Sequence, residues 1–588
     1  MPIHRKSLIL LAVAAIFAGL PANVSGAGRS PVRAPKAMVA SVHEAASQAG
    51  VEMMQAGGNA VDAAVATGFA LAVVHPQAGN LGGGGFLLVR WADGKTHFLD
   101  FREKAPAKAQ RDMYLDAQGN VVKDASVVGY RAIAVPGSVK GLAYAQKKWG
   151  KLPLKRVMEP AIRLAREGFA LSYEDAQDFK DEEETLSRFA ETRRIFLRNG
   201  DLYKAGEIFR QPELARTLER IAADPEDFYR GAMARELVAA LEKGGGLITL
   251  ADLAAYAVKE REPVRGWYRG YEIIGAPPPS SGGIVLIEAL NVLEGYNLAK
   301  LGNRSADSIH LTVEAFRRAF FDRAQFLGDP DFSALPVAQL IDKRYAAAWR
   351  ESVNPAHASA SAELKRPAGV FHELDRIAAL HPPSFIPEPE HTTHYSVVDP
   401  EGNAVAVTTT LNDSLGSRVT AEGLGFLLND QMDDFATKPG VPNLYGLIQG
   451  EANAIGPGKR PLSAMTPTIV LKNGKLFLVL GSPGGPRIIT TVANILMGVV
   501  DYGLNIQEAV NAPRFHHQWL PDAIYMEKSG FSPDTRRLLE ERGHKFMEKD
   551  PVYASGYWSD GECIAIDLAT GERLGASDMR NNGKAVGY

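Results

Sequence analysis

The sequence predicts a large mixed fold of α-helices and β-strands, and three observations support that prediction. The 588 residues exceed the size at which one hydrophobic core stops growing, so two lobes or one multilayered sandwich are expected. Residues from about 39 to 75 and from about 150 to 350 have mostly helical periodicity. After residue 390, a strongly β-patterned segment begins.

The composition is that of an ordinary globular protein, with 46% hydrophobic and 23% charged residues and a net charge of −3. This balance gives no electrostatic reason to expect a nucleic-acid partner, so small molecules are the expected partners. The single cysteine, Cys563, excludes an intramolecular disulfide. Its alternating neighbours favour a thiol packed in a core strand over a reactive one.

The first 26 residues have the pattern of a secretory signal. A short basic region at 4–6 precedes an apolar run from 8 to 20, and small residues follow at 24–27. The apolar run is shorter than the roughly 20 residues that span a bilayer, which favours export over a membrane anchor. We therefore expect a signal peptide at 1–26, a periplasmic or secreted protein, and no stable membrane insertion.

Three loop segments are distinctive. The glycine-rich run 79–85 precedes a strand, so a tight crossing of backbones is favoured over a phosphate-binding loop, which follows a strand and opens a helix. Residues 276–283 form a loop rich in Pro, Gly and Ser. The stretch from 355 to 390 is rich in Ala, Ser and Pro and is expected to be exposed or mobile.

A β-hairpin is predicted at the start of the β-patterned segment. Two β-prone runs, 392–398 and 404–410, flank a three-residue loop at 400–402 that contains proline and glycine at favourable turn positions. Counting back along this register places Thr392 opposite Thr410. Directly opposed side chains lie about 5 Å apart, so the register brings two hydroxyl groups together.

A threonine at the start of a strand acquires a base if the preceding peptide bond is cut. The freed α-amine has a pKa near 8 and can take the proton of its own hydroxyl, so cleavage of His391-Thr392 would create a nucleophile. On spacing alone, an ordinary strand residue is the favoured interpretation of Thr392. The sequence has no Gly-x-Ser-x-Gly nucleophile elbow, no His-Glu-x-x-His zinc-binding helix and no Cys-x-x-Cys pair. His391, His394 and the pair at 516–517 lack carboxylates at ligand spacing and are expected to be surface or core residues.

The runs at 392–399 and 402–408 closely resemble the start of the small subunit of bacterial γ-glutamyltranspeptidases. The resemblance extends from about Met38, through the helix at 57–64, to the run at 575–578. It implies the N-terminal nucleophile hydrolase fold, an α+β, four-layer αββα sandwich. It also implies that one precursor cuts itself between His391 and Thr392 into a large subunit, 27–391, and a small subunit, 392–588, which remain together as a heterodimer.

The resemblance also implies roles for individual residues. Thr392 matches the nucleophile of both self-cleavage and catalysis, and Thr410 matches its hydrogen-bonding partner. Gly484 and Gly485 match the backbone donors of an oxyanion hole, and they follow a predicted strand. The positions that match substrate-binding residues are Arg102 for an α-carboxylate, Asp434 for an α-ammonium with Asn412 and Gln431 as helpers, Ser463, and Tyr445 in a lid loop.

The implied reaction transfers the γ-glutamyl group of glutathione or another γ-glutamyl amide to water, an amino acid or a peptide, with no cofactor or metal. Where many members of the family have two serines, this chain has Ser463 and Ala464, so weaker donor binding or a shifted substrate preference is expected. Two alternatives remain: an acylase of the same fold acting on glutaryl or similar amides, and a non-catalytic periplasmic binding protein.

Overall fold

The computed structural model describes residues 29–380, 391–436, 450–528, 530–547 and 558–588. Pro31 to Tyr588 belong to one unit of the chain. The predicted signal peptide, 1–26, and the predicted lid residue Tyr445 lie outside the described residues. In the part of the chain that is described, no helix has the length and apolar character needed to cross a membrane.

Two seven-stranded antiparallel sheets form the centre of the fold. The strands are β1 (Val32–Ala34), β2 (Met38–Ser41), β3 (Gly84–Arg90), β4 (Thr96–Asp100), β5 (Phe169–Ala170), β6 (Ile208–Phe209), β7 (Lys259–Arg261), β8 (Val264–Tyr268), β9 (Tyr271–Gly275), β10 (His391–Val398), β11 (Ala404–Asn412), β12 (Thr468–Lys472), β13 (Lys475–Leu480), β14 (Phe515–His516), β15 (Tyr525–Met526), β16 (Cys563–Ile566), β17 (Arg573–Ala576) and β18 (Lys584–Gly587). The first sheet has the order β18-β2-β10-β11-β3-β4-β7, and the second has the order β1-β17-β16-β13-β12-β9-β8.

Helices flank the two sheets. They are α1 (Glu44–Gln55), α2 (Ala60–Val74), α3 (Ser138–Trp149), α4 (Leu154–Glu167), α5 (Tyr173–Asp181), α6 (Glu183–Leu186), α7 (Ala190–Phe196), α8 (Pro212–Ala223), α9 (Asp227–Arg230), α10 (Ala232–Lys243), α11 (Leu250–Ala255), α12 (Gly282–Leu293), α13 (Leu298–Leu301), α14 (Ala306–Phe326), α15 (Val337–Leu340), α16 (Lys343–Glu351), α17 (His372–Leu380), α18 (Arg487–Val500), α19 (Ile506–Asn511) and α20 (Pro533–Glu541). Short 3-10 turns lie at Tyr130–Ala132, Arg198–Gly200, Ser361–Glu363, Gln431–Asp434 and Glu451–Asn453.

The layers follow the order helix, sheet, sheet, helix. Helices α1, α2 and α3 pack on the first sheet, α12 and α19 pack on the second, and the two sheets contact each other through β10, β11, β13 and β16. This arrangement confirms the predicted αββα sandwich and decides for one multilayered body over two lobes.

Both faces of the first sheet are apolar because the side chains of its central strands point alternately to the two faces and are apolar on both. In β3, Leu87 and Val89 join the cluster that contains the α2 helix, whereas Phe86 and Leu88 join the cluster between the sheets. Successive strand side chains point to opposite faces, so one apolar strand supplies two cores. A strand buried on both faces reads as a continuous apolar run, as β3 does.

The predicted hairpin is present in the predicted register. Thr392 lies opposite Thr410, and the 400–402 loop is closed by a hydrogen bond of 3.0 Å from the Asp399 amide to the Asn403 carbonyl. A register irregularity separates His391 from Thr392, so the strand is disturbed at the peptide bond of interest.

Other local predictions have mixed outcomes. A tight backbone crossing in the glycine-rich run is confirmed, because a Cβ on Gly83 would lie 2.0 Å from the Thr410 carbonyl oxygen. Cys563 is buried in β16, as predicted. The stretch from 355 is mostly exposed in its described part, as expected, because Ser361 and Leu374 are the buried residues among 355–379. The sequence did not predict α17, which begins at His372 and packs Leu374 into the second sheet's core.

Candidate active site

Two threonine hydroxyls meet at the start of β10. The Thr392 hydroxyl donates to Thr410 Oγ1 at 3.3 Å, and the Thr410 hydroxyl donates to the His391 carbonyl oxygen at 2.8 Å. The Asn412 amide also donates to Thr410 Oγ1, at 2.8 Å. Thr392 and Thr410 are 7% and 3% exposed, so this chain of hydrogen bonds is shielded from bulk water.

The directions of these bonds matter chemically. A hydroxyl carries one proton and two lone pairs, so Thr410 uses its proton on the His391 carbonyl and its lone pairs on Thr392 and Asn412. The same group therefore accepts from the Thr392 hydroxyl and donates to the carbonyl that precedes Thr392. The arrangement suits attack of Thr392 Oγ1 on its own upstream peptide bond.

A polar network leads from this pair toward β4. Gln431 Nε2 donates to Asn412 Oδ1 at 3.0 Å and to Asp434 Oδ2 at 2.6 Å. Arg102 Nη2 contacts the same Asp434 oxygen in a short ion pair. The structure thus joins six of the predicted site residues in one chain of hydrogen bonds: Thr392, Thr410, Asn412, Gln431, Asp434 and Arg102.

The far end of this network is a buried group of charges. The Arg102 side chain is 1% exposed and that of Asp434 is 6% exposed. Burial raises the pKa of the Asp434 carboxyl, although Arg102 opposes the shift. Burial also raises the pKa of the neighbouring Glu103 carboxyl to about 7. One cation and one firmly paired carboxylate face each other here, a pattern complementary to a zwitterionic amino-acid head group.

Ser463 lies on the loop next to Arg102, and its hydroxyl is hydrogen-bonded within that loop. Arg102 Nη2 donates to the Leu462 carbonyl at 3.3 Å, and Ser463 Oγ accepts from the Met465 amide at 3.1 Å. Ala464 is buried beside it. The predicted carboxylate-binding serine is therefore adjacent to the network and bonded within its own loop.

Asn453 is a structural member of the site that the sequence did not reveal. Its Nδ2 donates to the Asp434 carbonyl at 2.7 Å, and its Oδ1 accepts from the Leu462 amide at 2.9 Å. It thereby fixes the Asp434 turn against the Ser463 loop. No spacing rule links these segments, so only the folded chain identifies this residue.

The predicted oxyanion loop connects β13 to α18, as expected. Gly484 and Gly485 have φ values of +120° and +52°, in the region that favours glycine. A Cβ on Gly484 would lie 2.2 Å from Ser559 Oγ. At the start of the loop, Gly481 packs against the ring of His394, two residues from Thr392. The loop therefore leaves its strand beside the hairpin that carries the threonine pair.

The histidines behave as core residues. His394 hydrogen-bonds Thr408 and Ser396 at 2.9 and 3.1 Å, and burial lowers its pKa to about 3. His516 and His517 are also buried. Burial lowers the pKa of His391 as well. These four histidines were expected to be core or surface residues; His394, His516 and His517 are buried, and His391 is partly buried.

One His and Glu group in the described ranges has the spacing of a metal site: His310, Glu314 and His544. Glu314 forms ion pairs with Arg317 and Arg318, and His310 Nδ1 is hydrogen-bonded to His544 Nε2 at 2.8 Å. The carboxylate is already neutralised by two guanidinium groups, so this group is best explained as a structural ion-pair cluster.

An αββα sandwich in which two hydrogen-bonded threonines meet at the start of a central strand has the arrangement of an N-terminal nucleophile hydrolase fold. The model of the γ-glutamyltranspeptidase family matches residues 46–588. The chain belongs to the γ-glutamyltranspeptidase family.

Individual relatives agree with this assignment. The chain is 49% identical over 574 residues to the glutathione hydrolase proenzyme of Pseudomonas sp. (strain A14), with 96% of each chain covered. It is 49% identical over 555 residues to the glutathione hydrolase proenzyme of Escherichia coli (strain K12), covering 94% of this chain and 91% of the relative.

Solved structures with the same fold include an acylase and a transpeptidase. Cephalosporin acylase from Bacillus halodurans superposes with a TM-score of 0.81 at 28% identity, covering 97% of this chain and 99% of that one. Helicobacter pylori γ-glutamyltranspeptidase has a TM-score of 0.55 at 45% identity and covers 56% of this chain and 95% of its own. The fold is therefore common to both activities, while sequence identity is higher to the transpeptidase.

Proposed function

We propose that this protein is a γ-glutamyltransferase and glutathione hydrolase that cuts its own chain between His391 and Thr392. The observation that carries the proposal is the continuous network from the threonine pair to the Arg102–Asp434 ion pair. It connects a nucleophile to a charge pattern suited to the head group of a glutamyl substrate.

Self-cleavage begins when Thr392 Oγ1 attacks the His391 carbonyl carbon. Thr410 takes the hydroxyl proton while it passes its own proton, along its 2.8 Å hydrogen bond, to the carbonyl oxygen, which gives a neutral tetrahedral intermediate. As this intermediate collapses, that proton moves to the departing nitrogen. The carbon–nitrogen bond breaks, which leaves an ester on Thr392 and a free α-amine. Water then hydrolyses the ester to the His391 carboxylate and restores the threonine hydroxyl.

The mature reaction uses the same hydroxyl. The new α-amine takes its proton, and Thr392 Oγ1 attacks the γ-carbonyl carbon of the donor. The donor's amine leaves with a proton, and a γ-glutamyl ester remains on the enzyme. Water, an amino acid or a peptide amine then attacks this ester. The protein groups needed for these steps are the Thr392 α-amine, side chains and backbone donors, with no cofactor or metal required.

Substrate recognition is assigned to the buried network. In this proposal Arg102 binds the α-carboxylate, with Ser463 close by, and Asp434 binds the α-ammonium with help from Asn412 and Gln431. A guanidinium fork suits a planar carboxylate. The Gly484 and Gly485 amides hold the oxyanion, and Tyr445 covers the bound donor.

The subunits and compartment follow from the same proposal. Residues 27–391 and 392–588 are the large and small subunits, which share both central sheets. In the first sheet β2 and β3 pair with β10 and β11, and in the second β1 and β9 pair with β17 and β12. Such interleaved strands hold the fragments together after the chain is cut. A signal peptide at 1–26 would deliver the precursor to the periplasm.

An acylase function is the second candidate, since the acylase structure shares the fold over nearly the whole chain. The two functions differ in whether the substrate carries an α-amine. Hydrolysis of a γ-glutamyl anilide should greatly exceed that of the glutaryl anilide, which lacks this amine and so loses the substrate contact proposed for Asp434. A preference for the glutaryl compound would overturn the proposed function in favour of an acylase.

A further inference from the structure

A cavity of about 150 Å³ lies on the other side of Thr392 from the network. In the first sheet, β11, β3 and β4 lead from Thr392 toward Arg102, whereas β2 lies on the opposite flank of β10. The cavity is on this β2 flank, because Val42 and His43 follow β2 and form part of its wall. His391 and Thr392 also line it, so it borders both residues of the bond proposed to be cut.

The wall of the cavity is acidic. Glu174, Asp175 and Asp178 of α5 line it. Arg580, the one arginine among the residues that line it, is engaged by Glu527 and Asp578. The cavity therefore offers mainly hydrogen-bond acceptors to whatever occupies it.

Burial lowers the pKa of all three histidines of the wall, His43, His75 and His391, which favours their uncharged form at neutral pH. Burial lowers the pKa of His75 to about 4 and also lowers the pKa of His43, although Asp175 opposes both shifts. Burial raises the pKa of Asp178 to about 6, so this carboxyl is mostly ionised at neutral pH. An occupant that donates hydrogen bonds and is itself uncharged or cationic is favoured in these surroundings.

Gln77 indicates which occupant fits. It is 4% exposed, and its Nε2 donates to Asp178 Oδ2 at 2.7 Å and more weakly to Asp175 Oδ1 at 3.5 Å. Its Oε1 has no hydrogen-bond partner among the described residues. A buried amide oxygen of this kind is normally satisfied by ordered water. Because one water takes about 30 Å³ of the liquid, the cavity has room for a few.

We propose that this cavity holds the water that completes self-cleavage and that Gln77 is a positioning residue for that water. The inference rests on the proposed function, since it concerns the second half of the maturation reaction. The water oxygen bonds to the His391 carbonyl carbon, and the ester bond to Thr392 Oγ1 breaks. One water proton returns to Thr392 Oγ1, and the other is taken by the freed α-amine.

The opposite flank is poorly placed to supply this water. There the lone pairs of Thr410 Oγ1 are taken by Thr392 and the Asn412 amide, and Asn412 is bonded in turn to Gln431 and Asp430. The cavity, by contrast, adjoins the scissile bond and contains acceptors that orient water hydrogens. Each flank of Thr392 thus serves a different reaction.

The test uses Gln77→Met in the full-length precursor, with Gln211→Met as the matched control. Gln211 is equally buried, donates to the Val73 carbonyl at 2.8 Å, and does not line this cavity. In Gln77→Met, ester hydrolysis should slow about 10- to 100-fold because the attacking water loses its orientation. The uncut chain should then accumulate as an ester that neutral hydroxylamine cleaves, forming a hydroxamate at His391. The control should mature at the wild-type rate.

A second variant distinguishes loss of the water site from a local folding defect caused by Gln77→Met. Ala78→Leu fills the same cavity with an apolar side chain and should give the same hydroxylamine-sensitive precursor. Wild-type maturation in either variant would contradict the inference, and so would an uncut chain that resists hydroxylamine, since that chain is blocked before the ester. Failure of the wild-type chain to cut itself would instead contradict the proposed function.

Discussion

The two flanks of Thr392 differ in how their polar groups are satisfied. Toward β4, Asn412, Gln431 and Arg102 form a chain of hydrogen bonds that ends in a buried ion pair. Toward β2, an acidic cavity contains a buried amide oxygen with no partner among the described residues. Groups locked in a network can discriminate substrates, whereas a polar cavity can hold water. The contrast indicates that one nucleophile serves two reactions by facing two different environments.

Thr410 contacts the carbonyl of the bond that must be cut before the mature reaction can begin, so its hydroxyl has the largest expected effect. Thr410→Val keeps the shape but removes the donor to the His391 carbonyl, and self-cleavage should slow about 100- to 1000-fold. Densitometry of denaturing gels over time measures this rate. Thr410→Ser retains a hydroxyl and should restore most of it. Cleavage by Thr410→Val at the wild-type rate would remove Thr410 from the mechanism.

Asp434 should separate the two flanks. Asp434→Asn removes the carboxylate that pairs with Arg102 Nη2 and weakens the site for an α-ammonium, so kcat/KM for a γ-glutamyl anilide should fall about 100-fold. Self-cleavage should continue, because Asp434 does not contact the threonine pair. The fraction of cut chain and the kcat/KM of that fraction are measured on the same preparation. An equal loss of both would show that the flanks are not independent.

Ala464 tests the finer detail of the substrate-binding flank. Ala464→Ser introduces a hydroxyl next to Ser463, and a hydrogen bond to a charged carboxylate stabilises binding by about 1.5 kcal/mol at the low end. The KM for the γ-glutamyl anilide should therefore fall about tenfold, with little change in kcat. An unchanged KM would mean that residue 464 does not reach the bound carboxylate.

The hairpin and the layers were the most predictable parts of the molecule. The residues of a turn and the lengths of its strands are local features of the sequence. The 400–402 loop is therefore enough to predict that Thr392 pairs with Thr410, without any tertiary contact. The order of the four layers could be predicted only from the family resemblance, because helical and strand periodicities do not specify which layers pack together.

The remainder of the site depends on contacts between distant segments. Asn453 joins Asp434 to Leu462, and the cavity brings Gln77 beside His391, although more than 300 residues separate the last two in the chain. In the sequence alone, nothing distinguishes Asn453 or Gln77 from other polar residues. The helix at 372–380 was missed because the Ala, Ser and Pro content of its surroundings hid a short amphipathic segment.

The most direct test of the account follows activity and chain cleavage together in a freshly purified precursor. γ-Glutamyl anilide hydrolysis should rise in proportion to the appearance of a small fragment whose N-terminal sequence starts at Thr392, and Thr392→Ala should give neither fragment nor activity. Full activity in an uncut chain, or a fragment that starts at another residue, would contradict the claim that an exposed N-terminal threonine is the nucleophile.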